Sequence, residues 1–182
     1  MNTNPDAVRI EPITLAHAAA FHACLDAVAR ERRFLGQTQA PPPDKVLAFV
    51  RENVDSDAVQ FVAMDGTQLV GWADVFGHWA DALAHCGSLG MGLLPAWRGH
   101  GIGQRLLQAC IDKAWQKGFT RIELQTRVDN GAAIRLYQRL GFRDEGLCRE
   151  AMRLDGVLHD TRRMALLRCD APAPAGAGPT EA

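Results

Sequence analysis

Three glycines in five residues, Gly99, Gly101 and Gly103, separate an apolar stretch ending at Leu94 from the most regular helical pattern in the chain. Over 101–117 the residues Ile102, Leu106, Leu107, Cys110, Ile111 and Ala114 recur at helical spacing and form one apolar stripe. Gly118 stands where a C-terminal capping glycine belongs. At 121–127 the period changes to two, with Ile122, Leu124 and Thr126 alternating against Glu123, Gln125 and Arg127. Strand, tight turn, helix and strand in succession form a crossover, which requires the two strands to run parallel in one sheet.

The flanking pattern enlarges that unit. A short strand is predicted over 8–13, then a helix capped by Thr14, with Ala18, Phe21, His22, Leu25, Val28 and Ala29 at helical spacing. Pro41, Pro42 and Pro43 break the chain, and Asp44 is placed to cap a second helix to 54. Strands are expected at 58–64 and 68–76 around an Asp65-Gly66 turn, the second with Leu69, Gly71, Ala73 and Val75 on one face. Another strand covers about 83–94. Asn130 can cap a short helix with Ala133, Leu136, Tyr137 and Leu140 on one side, ended by Gly141. Strands at 142–152 and 157–167, joined at Asp155-Gly156, complete the pattern. The order β-α-α-β-β-β-α-β-α-β-β predicts an α/β fold with a mixed sheet and helices on both faces. One domain over 1–168 is expected, followed by an Ala/Pro/Gly tail over 169–182 too poor in apolar surface to order itself.

Bulk composition limits the function classes. A net charge of −1 over 182 residues supplies no global field for nucleic acid or an anionic membrane, so any anion site must be local. No apolar run approaches the roughly 20 residues of a spanning helix, and the polar N-terminus has no signal-peptide core, so a cytoplasmic location is expected. The five cysteines are scattered with no CxxC pair, and His17 and His22 are five apart, the wrong spacing for a shared metal; no metal is expected.

The glycine-rich turn has two readings. It is either a plain connector or an anion site, in which the bare N–H groups of the first helical turn and the helix dipole receive a pyrophosphate. Arg98 and His100 would then add side-chain donors. It is not a nucleotide P-loop, since no GK[ST] follows, and Leu106 replaces the last glycine of the dinucleotide fingerprint. The run Arg98-Gly99-His100-Gly101-Ile102-Gly103 resembles the acyl-CoA pyrophosphate loop, [RQ]-x-x-G-x-[GA], of the GNAT acetyltransferase superfamily. The resemblance continues through Asn130, Ala133, Tyr137, Gly141 and Phe142, spaced as N-x-x-A-x-x-x-Y-x-x-x-G-F. It spans about 8–167 and is strongest over 89–146.

That resemblance implies a GNAT-like fold with two splayed parallel strands and direct acetyl transfer from acetyl-CoA to a primary amine in a ternary complex. The expected cofactor-binding set is Met91, Leu93, Leu94, Arg98, Gly99, His100, Gly101, Ile102, Gly103, Gln104, Asn130, Ala133 and Tyr137. Backbone N–H groups near Met91 and Leu93 would meet the pantetheine and thioester, and Asn130 the pantetheine arm. Tyr137, the one tyrosine in the chain, would protonate the leaving thiolate. Similar proteins often carry a Glu base five residues before the Asn; here that position is Gln125, and Glu123 on the same strand face is the nearest carboxylate in sequence. Asp74, His78, His85 or a water chain are other possible bases.

The acceptor expected from the resemblance is a small amine such as an amino acid, with ribosomal-protein and antibiotic acetylation as alternatives. The segment 34–43 should border its site, Arg32, Arg33 and Arg149 are candidates to hold a carboxylate, and Trp72, Trp79 and Trp97 are candidates to line the pocket. Packing and solvation are the plainer roles for these residues. Similar proteins are commonly homodimers. Two other classes stay open on sequence: a non-catalytic acyl-CoA-binding module, and a dinucleotide-binding enzyme.

Overall fold

The computed structural model describes residues 7–170. Most of the Ala/Pro/Gly stretch expected to be disordered lies outside the described residues, while Arg168–Asp170 forms a short 3-10 turn. Seven strands run as β1 (Arg9–Pro12), β2 (Val59–Asp65), β3 (Gln68–Gly77), β4 (Cys86–Leu93), β5 (Arg121–Arg127), β6 (Arg143–Leu154) and β7 (Val157–Leu167). Four helices are α1 (Ala18–Ala29), α2 (Pro43–Asp55), α3 (Ile102–Gln116) and α4 (Gly131–Arg139). The strands form one mixed sheet in the order β1-β2-β3-β4-β5-β7-β6. Every neighbouring pair is antiparallel except β4 and β5, the pair that α3 bridges.

Local chemistry sets the ends of these elements. The β6–β7 hairpin turns on Asp155 and Gly156, both at positive φ (49° and 82°), the backbone that matches the twist of paired strands. Gly118 and Gly141 take φ of 93° and 91° after α3 and α4, as helix-ending glycines do. Asn130 caps α4 by accepting the Ala133 N–H at 3.3 Å. Three starts differ from the sequence reading. The second helix begins at Pro43, whose fixed φ and missing N–H suit the first helical position, and Asp44 sits inside the first turn, where its charge favours the dipole. Thr14 precedes a 3-10 turn (Leu15–His17) before α1, and its N–H donates to His17 Nδ1 at 3.1 Å. The strand expected from 83 starts at Cys86, because Asp81–Leu83 is a 3-10 turn.

One correction concerns sheet faces. The register between β2 and β3 slips by one residue between Ala63 and Met64, a bulge that leaves Val70 as the extra residue. Leu69 therefore packs with Trp72 on one face, while Val70 joins Ala73 and Val75 on the other. The expected single row of Leu69, Gly71, Ala73 and Val75 is broken at the bulge.

Each face has its own core. Against α3 and α4 lie Val59, Ala63, Val70, Ala73, Val75, Leu89, Ile122, Leu124, Met164 and Leu166, packed onto Ile102, Leu106, Leu107, Cys110, Ile111, Ala114, Tyr137 and Leu140. Against α1 and α2 lie Val62, Met64, Leu69 and Trp72, met by Phe21, Leu25, Val28, Val46 and Val50. The second core stops at β3, so the far half of that face, over β5, β7 and β6, carries no helix among the described residues. Leu107 on α3 is fully buried and Leu147 on β6 is exposed. Leu107→Ala is expected to lower unfolding free energy by about 3 kcal/mol in urea titration, and Leu147→Ala to leave it within about 0.5 kcal/mol.

Candidate active site

The parallel pairing of β4 with β5 covers only Cys86 with Arg121, Gly87 with Ile122 and Ser88 with Glu123. Both strands run on, β4 to Leu93 and β5 to Arg127, so beyond Ser88 the sheet is split. The Leu94 N–H donates to Val70 O of β3 at 2.9 Å, and backbone direction alternates along a strand. The N–H groups of Met91 and Leu93 therefore turn toward the split, where no strand meets them. A cleft of about 300 Å³ opens at this point, lined by Ser88, Leu89, Glu123, Leu124, Gln125 and Arg163. A larger hollow of about 510 Å³ lies on the outer side of α2, between Ala48 and Ser56, and holds none of the expected site residues.

The glycine turn sits at the end of the split strand. Gly99 and Gly101 have φ of 81° and 78°, left-handed backbone that favours glycine, and a Cβ built on either would meet nothing within 4 Å. Gly101 is the N-cap of α3 and supplies no side chain to cap it. The main-chain N–H groups of Gly99, His100, Gly101, Ile102, Gly103 and Gln104 donate no hydrogen bond to other described residues. Six successive N–H groups without a partner, at a helix N-terminus and with Gly99, His100, Gly101 and Gln104 exposed, are the kind of backbone that suits an anion. Gly103 serves packing instead: a Cβ there would lie 3.1 Å from Leu136 and 3.3 Å from both Leu93 and Met91. Ile102 is fully buried, so its side chain serves the core and meets no ligand. His100 and Gln104 are exposed, and Leu94 is half-buried between the two cores.

Arg98 departs from the sequence reading. Its guanidinium donates to Leu93 O from Nε at 2.9 Å and Nη2 at 2.7 Å. It also forms a two-pronged pair with the Glu31 carboxylate, Nη1 at 2.8 Å and Nη2 at 2.5 Å. Four of its five N–H groups are thus committed within the protein. The side chain braces the turn to the end of β4 and to the segment after α1 rather than offering donors to an anion.

Tyr137 lies on α4 with its ring 5.8 Å from that of Phe142, and no described group hydrogen-bonds its hydroxyl. Burial raises its phenol to about 12, so it holds its proton at neutral pH. Glu123 stands at the cleft edge, but Arg121 donates to it at 3.0 and 3.3 Å, and His78 Nε2 lies 3.3 Å from its other oxygen. Gln125 accepts the Thr161 hydroxyl at 3.3 Å. Of the carboxylate-holding candidates, Arg32 is paired with Asp155 of the β6–β7 turn, Arg33 lies over the Phe34 ring, and Arg149 is exposed. Trp72 and Trp97 are core residues, whereas Trp79 is 97% exposed. His85 engages its carbonyl with Thr120 and Arg121 of the neighbouring strand segment. Among the described residues no group of three or more His, Cys, Asp or Glu is placed to hold a metal ion, and no helix is long and apolar enough to cross a membrane.

Asp74, one of the other possible bases, has an environment that the sequence does not show. It lies on β3, opposite Gln60 of β2 and Gly90 of β4, on the face of α1 and α2. Burial raises its carboxyl from 3.8 to about 7, outweighing the nearby Gly90 and Trp72 N–H groups that favour the charged form. Its sequence context, Trp-Ala-Asp-Val, marks only a strand; the signal that could find it is the pair Gly90 and Gly92, side-chain-free positions on the facing strand β4.

Both the sequence and the fold match known proteins. The sequence pattern of the acetyltransferase (GNAT) family matches residues 22–142. The chain is 32% identical over 147 residues to the N-alpha-acetyltransferase RimI of Mycobacterium tuberculosis, covering 81% of this chain and 89% of that one. Its fold matches yncA of Salmonella typhimurium, solved with its cofactor acetyl-CoA, with a TM-score of 0.84 and 22% identity over 94% of this chain and 99% of that one. It also matches a phosphinothricin acetyltransferase of Sinorhizobium meliloti in complex with AcCoA, with a TM-score of 0.77 and 20% identity over 96% and 94% of the two chains. With the split sheet, the bare amides of its glycine turn and these likenesses taken together, the chain belongs to the GNAT family and is an acetyl-CoA-dependent N-acetyltransferase.

Proposed function

We propose that the six bare N–H groups of 99–104 hold the diphosphate of acetyl-CoA, and that the pantetheine arm runs from there into the split between β4 and β5. The observation that carries this reading is the run of unsatisfied donors at open, left-handed glycines beside a gap in the sheet. Bound acetyl-CoA supplies an activated acetyl group; the chain's own residues orient and polarise it. The Met91 and Leu93 N–H groups face the split and are the donors for the thioester oxygen, where loss of one donor typically costs roughly 100- to 1000-fold in rate. Asn130 and Ala133 border the arm at the start of α4, and Leu94 and the Arg98 brace fix the end of β4. Tyr137 keeps its proton until a thiolate needs it. Glu123, expected as base, is committed to Arg121 and His78, and in this reading it shapes the cleft edge.

The acceptor is a primary amine, and we assign it to the α-amine of a small molecule such as an amino acid, entering over the uncovered face of β5 and β7. The connection 30–42 borders that entry, since Arg32 reaches Asp155 and Phe34 lies beneath Arg127 at 5.9 Å. The likeness to RimI favours a second reading, a peptide N-terminus presenting the same α-amine. A homodimer is part of the proposal, supported by exposed Leu147, Val157 and Leu158 on the β6–β7 hairpin.

Free-thiol release from acetyl-CoA with free amino acids, phosphinothricin and unblocked short peptides separates the acceptor readings; turnover confined to peptides would overturn the small-molecule one. Gly101→Val is expected to abolish acetyl-CoA binding in calorimetry, because the side chain occupies the anion's space; normal binding would contradict the diphosphate site. Tyr137→Phe should slow turnover by about 100-fold with acetyl-CoA affinity kept, and unchanged turnover where chemistry limits the rate would remove the general-acid role. Light scattering should give twice the mass of one 19.9 kDa chain.

A further inference from the structure

Asp74 is a part-buried carboxylate without an ion-pair partner among the described residues, whereas Glu123 has two. Its position is specific. Successive rows on the α1/α2 face read Val62–Trp72–Gly92 and Gln60–Asp74–Gly90 across β2, β3 and β4, and then Phe76–Ser88–Glu123 across β3, β4 and β5. Asp74 thus stands one row beyond the last β4–β5 pair. The two glycines opposite Trp72 and Asp74 are not spacers. A Cβ on Gly90 would come within 2.7 Å of Asp74 Oδ1, and one on Gly92 would overlap the Trp72 ring. Both side chains therefore lie across β4, in the space a β4 side chain would fill, and lean toward the split. Gly90 precedes Met91, whose N–H faces the split. Behind Asp74 on β2, Gln60 is 1% exposed; its Oε1 accepts the Asn53 Nδ2–H at 2.8 Å while its Nε2 has no partner. A buried amide donor is thus left spare in the same row as the carboxylate.

We propose that Asp74 is the general base of the acetyl transfer, taking the proton of the acceptor amine over Gly90 at the mouth of the split. This rests on the cleft assignment made above. The amine nitrogen bonds to the acetyl carbon as the carbon–sulfur bond breaks. The amine proton passes to the Asp74 carboxylate, and the sulfur leaves as thiolate and takes the Tyr137 proton; both groups then exchange protons with solvent. An ordinary aspartate is a weak base at neutral pH, but burial lifts this one to about 7, where protonation and basicity balance. Titratable groups on the flanking elements leave it uncompensated. Cys110 of α3 lies behind the sheet with its thiol pushed up by burial, Glu123 is paired, and on α1 His22 contacts Pro41 O while Asp26 pairs with Arg30. Lys113 of α3 reaches Asp57 instead. Asn53 and Gln60 carry no charge.

Stability carries the same signature. The folded carboxyl titrates near 7 and the unfolded one near 4, so charging Asp74 destabilises the fold progressively as pH rises between those values. An uncharged isostere escapes that loss. The test compares wild type with Asp74→Asn, using the acceptor from the amine panel that turns over fastest. Wild-type kcat/KM should rise with pH through a limb near 7, with a separate limb for the amine itself. Asp74→Asn should lose the limb near 7 and drop kcat by about 100-fold or more, while acetyl-CoA affinity by calorimetry stays within about twofold. Its Tm should exceed that of wild type at pH 8, with the difference shrinking by pH 5. A flat wild-type profile overturns the proposal without any variant. So does an Asp74→Asn enzyme that keeps kcat or the limb near 7, or one that melts lower at pH 8. A wild type that does not bind acetyl-CoA removes the cleft assignment itself.

Discussion

Everything at the site depends on where backbone pairing stops. Parallel strands share evenly spaced hydrogen bonds, and β4 and β5 give them up after three pairs. Buried main-chain groups without partners are costly, so a split of this kind persists only when something else can satisfy them. Here the protein leaves the Met91 and Leu93 N–H groups facing a cleft and, after the 3-10 turn Pro95–Trp97, six more N–H groups without a partner at the α3 N-terminus. One stretch of β4 and its turn thereby presents a line of donors along about a dozen residues, suited to an elongated ligand with acceptor groups at intervals and a diphosphate at one end.

The rest of the fold keeps that line open. α3 buries its whole apolar stripe on one face of the sheet, which fixes its N-terminus at the end of β4. Gly103 allows the first turn of α3 to lie against Met91, Leu93 and Leu136. Arg98 binds the Leu93 carbonyl at the strand end and anchors the turn through Glu31. On the other face, Gly90 and Gly92 make room for Asp74 and Trp72 to lie over β4. Asp74 thus lies on the α1/α2 face of the sheet, and α3, which follows the glycine turn, on the other.

Much of this architecture is legible in the residues themselves. The period-3.6 stripe of α3, the period-2 alternation of β5 and the glycines between α3 and β4 specify a crossover, and the element order follows. Asp155-Gly156 and Asn130 behave as turn and cap chemistry dictate. The bulge at Val70 is hidden because a one-residue slip leaves no composition signal, only a change of which neighbours are met. Arg98 misleads because its partner Glu31 is 67 residues away, beyond any local pattern. The ion pairs of Glu123 and the burial of Asp74 are hidden for the same reason: a carboxylate's basicity is set by its spatial neighbours.

Amide chemical shifts report the central claim most directly. Titrating acetyl-CoA into the uniformly 15N-labelled protein should move the amides of residues 99–104 and those of Met91 and Leu93 first and farthest, with the β6–β7 hairpin little changed. Shifts concentrated elsewhere, with the glycine turn still as in the free protein, would contradict the account.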